Sequence, residues 1–443
     1  MGIGALNSSF QKNGYVSEDM ERVWDEKSLI NRIFQVEAEM AKVQAELGII
    51  PREAADLILE NAEPNEELLL KAGKGGVGNP LVAVLDALRE VIPEKARGWV
   101  HFGATTQDIL DTARALQIKE ASALLQSRLD NLVKITADNA HEYAYTMMVA
   151  RTNGQYALPT TLGTRFARWN AELRRSRARL QEMRSRTEQI QFTGAVGTFA
   201  SLGEQGPELN KRLAKRLDLV EQTISWHASS DTIMELALNV AVLGQSLAKI
   251  AEDLFAMQGS DLVEVREEMD AHLSGSSTMP QKLNPFTTMK ISVAARLASG
   301  MAATLLTQPP ATFERDHRQS EVHRDLIPQI FVAVDGAAAK LNFLFDRLIF
   351  DTDKLKAGIR KGGPVLMSEG IMMALAPHIG HGTAHDILQE FAKEYREKRM
   401  TLSEFCRTRP QLAALEGKLD LDALTDPQNY LGRAVEISES ARD

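Results

Sequence analysis

The chain has 443 residues, a net charge of -9 at pH 7 and an isoelectric point near 5.6. This length is sufficient for a large core and more than one domain, and the acidic balance argues against a nucleic acid or an acidic membrane as partner. Cys406 is the only cysteine of the sequence, which excludes an intramolecular disulfide. The first ten residues lack the basic region and apolar run of a signal peptide, so we expect a cytoplasmic protein.

The N-terminal part of the chain has the periodicity of helices. Apolar side chains recur at three- and four-residue steps from Ser17 to Leu47, which predicts one helix there, and Pro51 opens another. The glycine-rich run 71–80 follows no predicted strand and does not end in Gly-Lys-Ser/Thr. We therefore do not interpret it as a nucleotide-binding loop.

Hydroxyl and amide side chains precede the next predicted helix, which starts near Ile109. Thr105, Thr106 and Gln107 lie where the free N–H groups and the positive dipole end of a helix attract anions. An N-cap cluster, in which Thr106 or Asp108 caps the helix, explains the same residues. Both interpretations remain open at this point.

Long helical patterns fill the middle of the chain. Polar residues followed by glycine and proline at 151–161 predict a break between two helices, and strand-like alternation is nearly absent. The most apolar pattern, Ile233 to Met257, contains charged residues and predicts a buried bundle helix, not a membrane span. Because each long helix buries one stripe, these patterns predict a parallel-sided bundle.

A short polar loop, residues 274–285, separates two of these helices. Its glycine and serines favour a mobile backbone whose N–H groups can face an anion, and Pro280 and Pro285 limit that mobility. Lys282 adds a positive charge, and Asn284 both donates and accepts hydrogen bonds. This combination suits a carboxylate ligand.

Shorter helices with glycine and proline breaks follow residue 365. We predict three helical domains, 1–110, 111–364 with the loop, and 365–443. His378, His381 and His385 have a spacing that could bind zinc on a continuous helix, but Gly380 and Gly382 weaken the helix there. We predict no metal and no cofactor.

The loop resembles the signature G-S-S-x-M-P-x-K-x-N of the fumarase/aspartase superfamily, with every fixed position present from Gly275 to Asn284. His101 to Thr112 and Arg151 to Thr161 resemble two further motifs of its adenylosuccinate lyases and 3-carboxy-cis,cis-muconate cycloisomerases. The resemblance implies an all-α fold with a long central helix bundle, which forms a twenty-helix core in a homotetramer. Each site would be shared between three chains.

The resemblance also implies roles for individual residues. Ser276 would remove a proton next to a carboxylate of a small dicarboxylate substrate, and Lys282 and Asn284 would hold that carboxylate. Thr105 and Thr106 would bind a carboxylate, and Thr152 and Asn153 would lie opposite the base. The remaining substrate-binding positions are Tyr15, Asn79, Gln107, Arg315, Ser320 and Arg324.

Several positions depart from the adenylosuccinate lyase pattern. Gly14 replaces an arginine of that pattern, and Gly78-Asn79-Pro80 replaces its Arg-His-Asp. Both replacements remove charge-assisted hydrogen bonds to a phosphate. Each such bond contributes roughly 1.5–3 kcal/mol to binding. We therefore expect a smaller substrate than adenylosuccinate. Trp226-His227 resembles the cycloisomerase motif W-H-x-x-R-D, with Ser230 in place of its arginine.

The general acid is the second departure. Asn153 replaces a family histidine and cannot deliver a proton at pH 7, so we assign that role to His101, which could instead be a structural histidine. The expected reaction is β-elimination from an N-substituted succinate to give fumarate. The alternatives are a lactonising cycloisomerase, an epimerase of an N-substituted succinate and a non-catalytic structural homologue.

Overall fold

A computed structural model describes residues 4–62, 80–268, 278–415 and 417–442. Asn79 and Ser276 lie outside these ranges, as does the glycine-rich run up to residue 79.

Most of the described residues are helical, which confirms the all-α prediction. The α-helices are α1 Glu18–Trp24, α2 Glu26–Glu46, α3 Arg52–Asn61, α4 Pro80–Val91, α5 Glu94–Arg97, α6 Thr106–Glu142, α7 Leu162–Thr187, α8 Gly206–Leu217, α9 Asp231–Met257, α10 Phe286–Thr307, α11 His317–Phe345, α12 Thr352–Gly362, α13 Ser368–Ile379, α14 His381–Lys398, α15 Leu402–Arg407, α16 Pro410–Ala413, α17 Leu421–Thr425 and α18 Ala434–Glu439.

The predicted helix from Ser17 to Leu47 is in fact two helices, α1 and α2. Asp25 has extended backbone angles, and its carboxylate accepts a hydrogen bond of 2.6 Å from the backbone N–H of Ser28. An aspartate in this position ends one helix and caps the next. The apolar periodicity continues across the break, which is why the pattern alone did not show it.

The chain packs into two compact units. The first comprises Met1–Asp130, Arg174–Glu252 and Phe286–Phe343, and the second comprises Asn131–Leu173, Asp253–Pro285 and Leu344–Asp443. The boundaries fall within or at the ends of long helices, as in α6, which has 37 residues. Each unit has its own buried apolar cluster, centred on α2, α3, α4 and α8 in the first and on α13, α14 and α15 in the second.

The segment 151–161 forms a β-hairpin, which corrects the expected break between two helices. Strand β1, Met147–Thr152, pairs antiparallel with β2, Gln155–Thr161. The two connecting residues, Asn153 and Gly154, both have positive φ, 53° and 78°. Asn-Gly favours this kind of two-residue hairpin turn because both residues tolerate the left-handed region. A second strand pair joins β3 Val265–Glu267 to β4 Leu348–Phe350.

Two helices, α9 and α10, are long and apolar enough to cross a membrane by length and composition alone. The core helix of a soluble protein passes the same test. In the most apolar stretch of α9, 61% of the residues are buried inside the protein, against 39% in α10. The burial of α9 agrees with the predicted bundle helix, whereas α10 keeps an exposed apolar face.

Candidate functional site

The start of α6 is fixed by Asp108, which is fully buried. Its carboxylate accepts hydrogen bonds of 3.1 Å each from the backbone N–H groups of Thr105, Thr193 and Gly194. The imidazole Nε2 of His227, also buried, lies 3.2 Å from the same carboxylate. Asp108, the third residue of α6, therefore ties Thr105 before the helix to the start of the glycine loop 193–198.

Thr105 has a cationic neighbour at this helix terminus. Arg315 donates a hydrogen bond of 2.8 Å from Nη1 to the Thr105 hydroxyl, although the two residues are far apart in sequence. A guanidinium, two threonine hydroxyls and the N-terminal end of a helix all favour negative charge. The structure thus brings together Thr105, Thr106 and Arg315, which the sequence predicted separately.

His101 is oriented by a buried carboxylate. Its Nδ1 lies 2.7 Å from Oε1 of Glu37, and its backbone N–H donates to Oε2 of the same residue at 3.1 Å. Glu37 is 1% exposed, and His101 has a φ of 67°, so the loop conformation depends on this pair. A histidine held through Nδ1 by a carboxylate can exchange a proton through Nε2.

Tyr15 is buried and contacts a lysine that the sequence analysis did not identify. The Lys290 ammonium donates a hydrogen bond of 3.0 Å to the Tyr15 hydroxyl and lies 4.3 Å from the centre of its ring. A Cβ at Gly14 would come within 3.3 Å of Cε of Lys290. The lysine therefore occupies the space beside Gly14, and it supplies positive charge there.

Gln107, Ser320 and Arg324 line one cavity of about 40 Å³ in the first unit. Gln107 is 2% exposed and donates from Nε2 to the carbonyl of His227 at 3.2 Å, while its Oε1 has no partner among the described residues. The Ser320 hydroxyl donates to the carbonyl of His317 at 3.1 Å. Three predicted substrate-binding residues thus converge on one buried space.

Charged residues complete the lining of this cavity. Burial raises the pKa of Asp111, although a hydrogen bond from Gln107 opposes the shift. Burial, with a smaller contribution from Arg324, lowers the pKa of Arg114 to about 10, although attraction to Asp111 opposes the shift. The same two causes lower the pKa of His323 to about 4, so this histidine is neutral at pH 7.

In the second unit, Lys282 and Asn284 line a separate cavity of about 330 Å³ with residues 258–260 and 266–267. Thr152 ends β1, and Asn153 is an exposed hairpin turn residue. Next to them, Arg151 contacts the buried carboxylate of Glu264 at 2.5 and 3.1 Å. The left-handed conformation of Asn153 gives a structural reason for an asparagine at this position.

Sequence reasoning missed four residues, Glu37, Asp111, Arg114 and Lys290. Asp111 and Arg114 follow Gln107 by four and seven positions, so helical periodicity from Gln107 could have identified them. Glu37 and Lys290 reach their partners across long sequence separations and carry no local signal. Within the described residues there is no group of three or more His, Cys, Asp or Glu side chains that could hold a metal ion.

Comparisons with known proteins agree with this fold. Residues 3–300 match the family described as "Lyase", and residues 364–441 match "Adenylosuccinate lyase C-terminus". The chain is 35% identical to adenylosuccinate lyase of Methanocaldococcus jannaschii, over 96% of this chain and 93% of that protein. It is 32% identical to 3-carboxy-cis,cis-muconate cycloisomerase of Pseudomonas aeruginosa, over 95% and 93% respectively.

A solved structure supports the same relationship. The crystal structure of fumarate lyase from Mesorhizobium sp. BNC1 has a TM-score of 0.88 and 33% sequence identity, and the match covers 96% of this chain and 97% of that one. The long helices and the strand pairs of this chain are thus compatible with a known lyase fold over nearly its full length. The chain belongs to the fumarase/aspartase superfamily of lyases.

Proposed function

We propose that this lyase eliminates an amine from an N-substituted succinate and releases fumarate. The substrate is a small dicarboxylate derivative, smaller than adenylosuccinate, and the reaction uses no metal or cofactor. The observation that carries the proposal is the contact between Arg315 and Thr105 at the N-terminus of α6. Such a terminus binds one carboxylate of a succinyl group through charge and hydroxyl donors.

The elimination breaks one carbon–hydrogen and one carbon–nitrogen bond, with one proton taken up by a base and another supplied to the leaving nitrogen by an acid. The base removes a proton from the carbon next to a carboxylate, and the electron pair left behind forms the double bond of fumarate. The nitrogen leaves with the electrons of the broken bond and takes up a proton, for which we assign His101. By resemblance, the base is Ser276, and Lys282 and Asn284 stabilise the negative charge that develops on the carboxylate.

The position of His101 supports its assigned role. Because Glu37 occupies Nδ1, the Nε2 atom is the one that can carry the transferred proton. Asn153 lies at a turn and bears an amide, so it binds substrate in this proposal and moves no proton. Tyr15 with Lys290, and Ser320 with Arg324, bind the remaining polar groups.

Fumarate release tests the proposal directly. Purified protein is incubated with a panel of N-succinyl amines, and fumarate is followed by its ultraviolet absorbance. Thr105→Val keeps the side-chain shape but removes the hydroxyl that Arg315 contacts. We therefore expect kcat/KM to fall about 10²-fold, which is typical when an enzyme loses one hydrogen-bond donor that stabilises negative charge in the transition state.

Thr352→Val, at an exposed position in the second unit, is the matched control and should leave kcat/KM unchanged. Absence of fumarate from every N-succinyl amine would reject the elimination. An unaltered kcat/KM in Thr105→Val would reject the assigned carboxylate site.

Trp226 and His227 favour a second candidate, a lactonising cycloisomerase. The indole N–H of Trp226 donates to the carbonyl of Ile190 at 3.0 Å, and His227 is buried against Asp108. These residues resemble a cycloisomerase motif and occupy the wall of the cavity that contains Gln107. Consumption of 3-carboxymuconate without fumarate formation would support this candidate over the elimination.

We also propose that the active form is a homotetramer in the cytoplasm, with each site built from three chains. The exposed apolar face of α10 supports association, because Phe286, Met289, Val293 and Leu297 are each 40–42% exposed and follow helical spacing. No part of the proposal requires a nucleic acid or a membrane.

A further inference from the structure

Asp335 is an acidic side chain on the buried side of α11. It is fully buried, and the Ser17 hydroxyl donates a hydrogen bond to its Oδ2. The Nε atom of Arg128 lies 3.5 Å from its Oδ1, which is longer than an ordinary hydrogen bond. Burying a carboxylate costs more free energy than burying an apolar side chain of similar size, so stability alone does not explain an aspartate at this position.

Ser17 connects Asp335 to the start of α1. It is the N-cap residue of that helix, and its Oγ accepts a hydrogen bond of 3.2 Å from the backbone N–H of Met20. The same hydroxyl donates its hydrogen to Asp335. Because the hydroxyl is held from both sides, residue 17 is fixed against α11.

Two further residues of α11 hold the segment that precedes Ser17. A Cβ at Gly336 would overlap the carbonyl oxygen of Tyr15 and lie 2.6 Å from its carbonyl carbon, so this close approach requires a glycine. Lys340 donates a hydrogen bond of 3.0 Å from Nζ to the carbonyl oxygen of Asn13. The segment is thus held at three alternate positions, and it runs along α11 in the opposite direction.

The hydroxyl of Tyr15 has a defined hydrogen-bonding direction. An ammonium group only donates, so the hydrogen bond of 3.0 Å between Lys290 and Tyr15 uses the hydroxyl as the acceptor. Among the residues that the structure describes, none accepts the hydroxyl hydrogen of Tyr15. This hydrogen can be donated to an oxygen of a bound molecule, and the charge of Lys290 favours a carboxylate oxygen.

We propose that Asp335 is a positioning residue that orients Tyr15 for substrate binding, through Ser17 and the segment between them. The inference rests on the proposed function, in which Tyr15 binds a polar group of the substrate, and it adds the residue that holds Tyr15 in place. Asp335 itself does not touch the substrate in this proposal. Its removal should weaken substrate binding and leave the chemical step unchanged.

Steady-state kinetics of fumarate release measures the effect on binding, with the N-succinyl amine of the panel that gives the highest kcat/KM. Asp335→Leu removes the acceptor of the Ser17 hydroxyl. We expect KM to rise about tenfold, as for one lost hydrogen bond to a charged group, and kcat to stay within about twofold. Asp335→Asn keeps an acceptor oxygen and should restore most of the affinity. Asp325→Leu makes the same change at an exposed position of α11, and its KM should equal that of the wild type.

A double-mutant cycle separates positioning from a loss of stability. Tyr15→Phe removes the hydroxyl, and it should raise KM about as much as Asp335→Leu does. If Asp335 acts through Tyr15, adding Asp335→Leu to Tyr15→Phe raises KM by less than about twofold. Multiplication of the two effects would overturn the proposal. Ser17→Ala breaks the same hydrogen bond from its donor side and should raise KM equally, so the test does not depend on the folding of one variant.

A binding measurement keeps the inference testable without catalysis. The same N-succinyl amines are titrated into the protein, and the heat of binding gives Kd. We expect Kd to be about tenfold higher in Asp335→Leu than in the wild type and to recover in Asp335→Asn.

The outcomes separate the two proposals. An unchanged KM in Asp335→Leu, with fumarate still released, would overturn the positioning role and leave the elimination intact. Weaker binding in Asp335→Leu that recovers in Asp335→Asn, without fumarate from any N-succinyl amine, would support the positioning role and reject the elimination. Failure of the wild type to bind any of these compounds would overturn both, as would equal Kd values in the wild type and Asp335→Leu without fumarate release.

Discussion

Glu37, Asp108 and Glu264 show how single buried carboxylates position the candidate site residues. Each is at most 1% exposed, and each accepts hydrogen bonds from groups that the site needs in a defined place. Asp108 holds the backbone N–H groups of Thr105, Thr193 and Gly194. Glu37 holds His101, and Glu264 holds Arg151. These hydrogen bonds therefore stabilise the conformation of the loops that carry the candidate site residues.

His323 gives a prediction about acid stability. Its pKa is lowered from 6.5 to about 4 by burial and by Arg324, so it stays neutral when folded. In the unfolded chain it binds a proton near pH 6.5. Stability is therefore lost as the pH falls from 6.5 toward 4, by roughly 3 kcal/mol over the full window.

Removing this histidine should flatten the pH dependence. We expect the urea midpoint to fall less between about pH 7 and pH 4.5 in His323→Gln than in the wild type, measured at equal protein concentration. His381→Gln, which changes an exposed histidine, is the control. A drop in His323→Gln as large as in the wild type would contradict a neutral buried His323.

At the scale of elements, the β1–β2 hairpin connects the segment Arg151 to Thr161 to an ion pair with the buried residue Glu264. Arg151 lies on β1, and Glu264 immediately precedes β3. The Arg151 guanidinium also lies 5.4 Å from the centre of the Tyr156 ring on β2. The pair therefore fixes the hairpin that carries Thr152 and Asn153.

Breaking this pair from one side should be costly. Arg151→Met leaves the Glu264 carboxylate buried without its partner, and we expect a loss of roughly 3–5 kcal/mol in the free energy of unfolding. The double variant Arg151→Met with Glu264→Leu removes the stranded charge and should recover much of the loss. Urea unfolding monitored by circular dichroism measures both, and no recovery in the double variant would contradict the buried-charge explanation.

The elements differ in how well the sequence predicted them. The long helices α6 to α11 follow from apolar periodicity because each buries one stripe over many turns. The hairpin was missed because its Asn-Gly turn lies inside polar residues that also suit a helix break, although Asn-Gly is itself a hairpin signal. The grouping of Thr105 with Arg315 depends on tertiary packing, so only the resemblance to a family connected them.

At the scale of the whole molecule, α10 has an apolar face that the described part of the chain leaves exposed. Ridges of exposed Met289, Val293 and Leu297 repeat at helical spacing on a helix whose opposite side is buried. Soluble proteins seldom expose a contiguous apolar face of this kind unless it contacts a partner. A second copy of the chain is the partner that the proposed homotetramer supplies.

A charge on this face should prevent assembly. In Leu297→Glu, association would bury a carboxylate without a partner, and the cost of several kcal/mol exceeds what one apolar contact contributes. We expect light scattering to give about the mass of a single chain, 48.9 kDa, where the wild type gives about four times that mass. Because the proposed sites are shared between chains, fumarate release should be lost while the helical circular dichroism is retained.

Ile224→Glu makes the same change at an isolated position that is 75% exposed, and it should leave mass and activity unaltered. An active single chain of Leu297→Glu would show that each site is complete within one subunit.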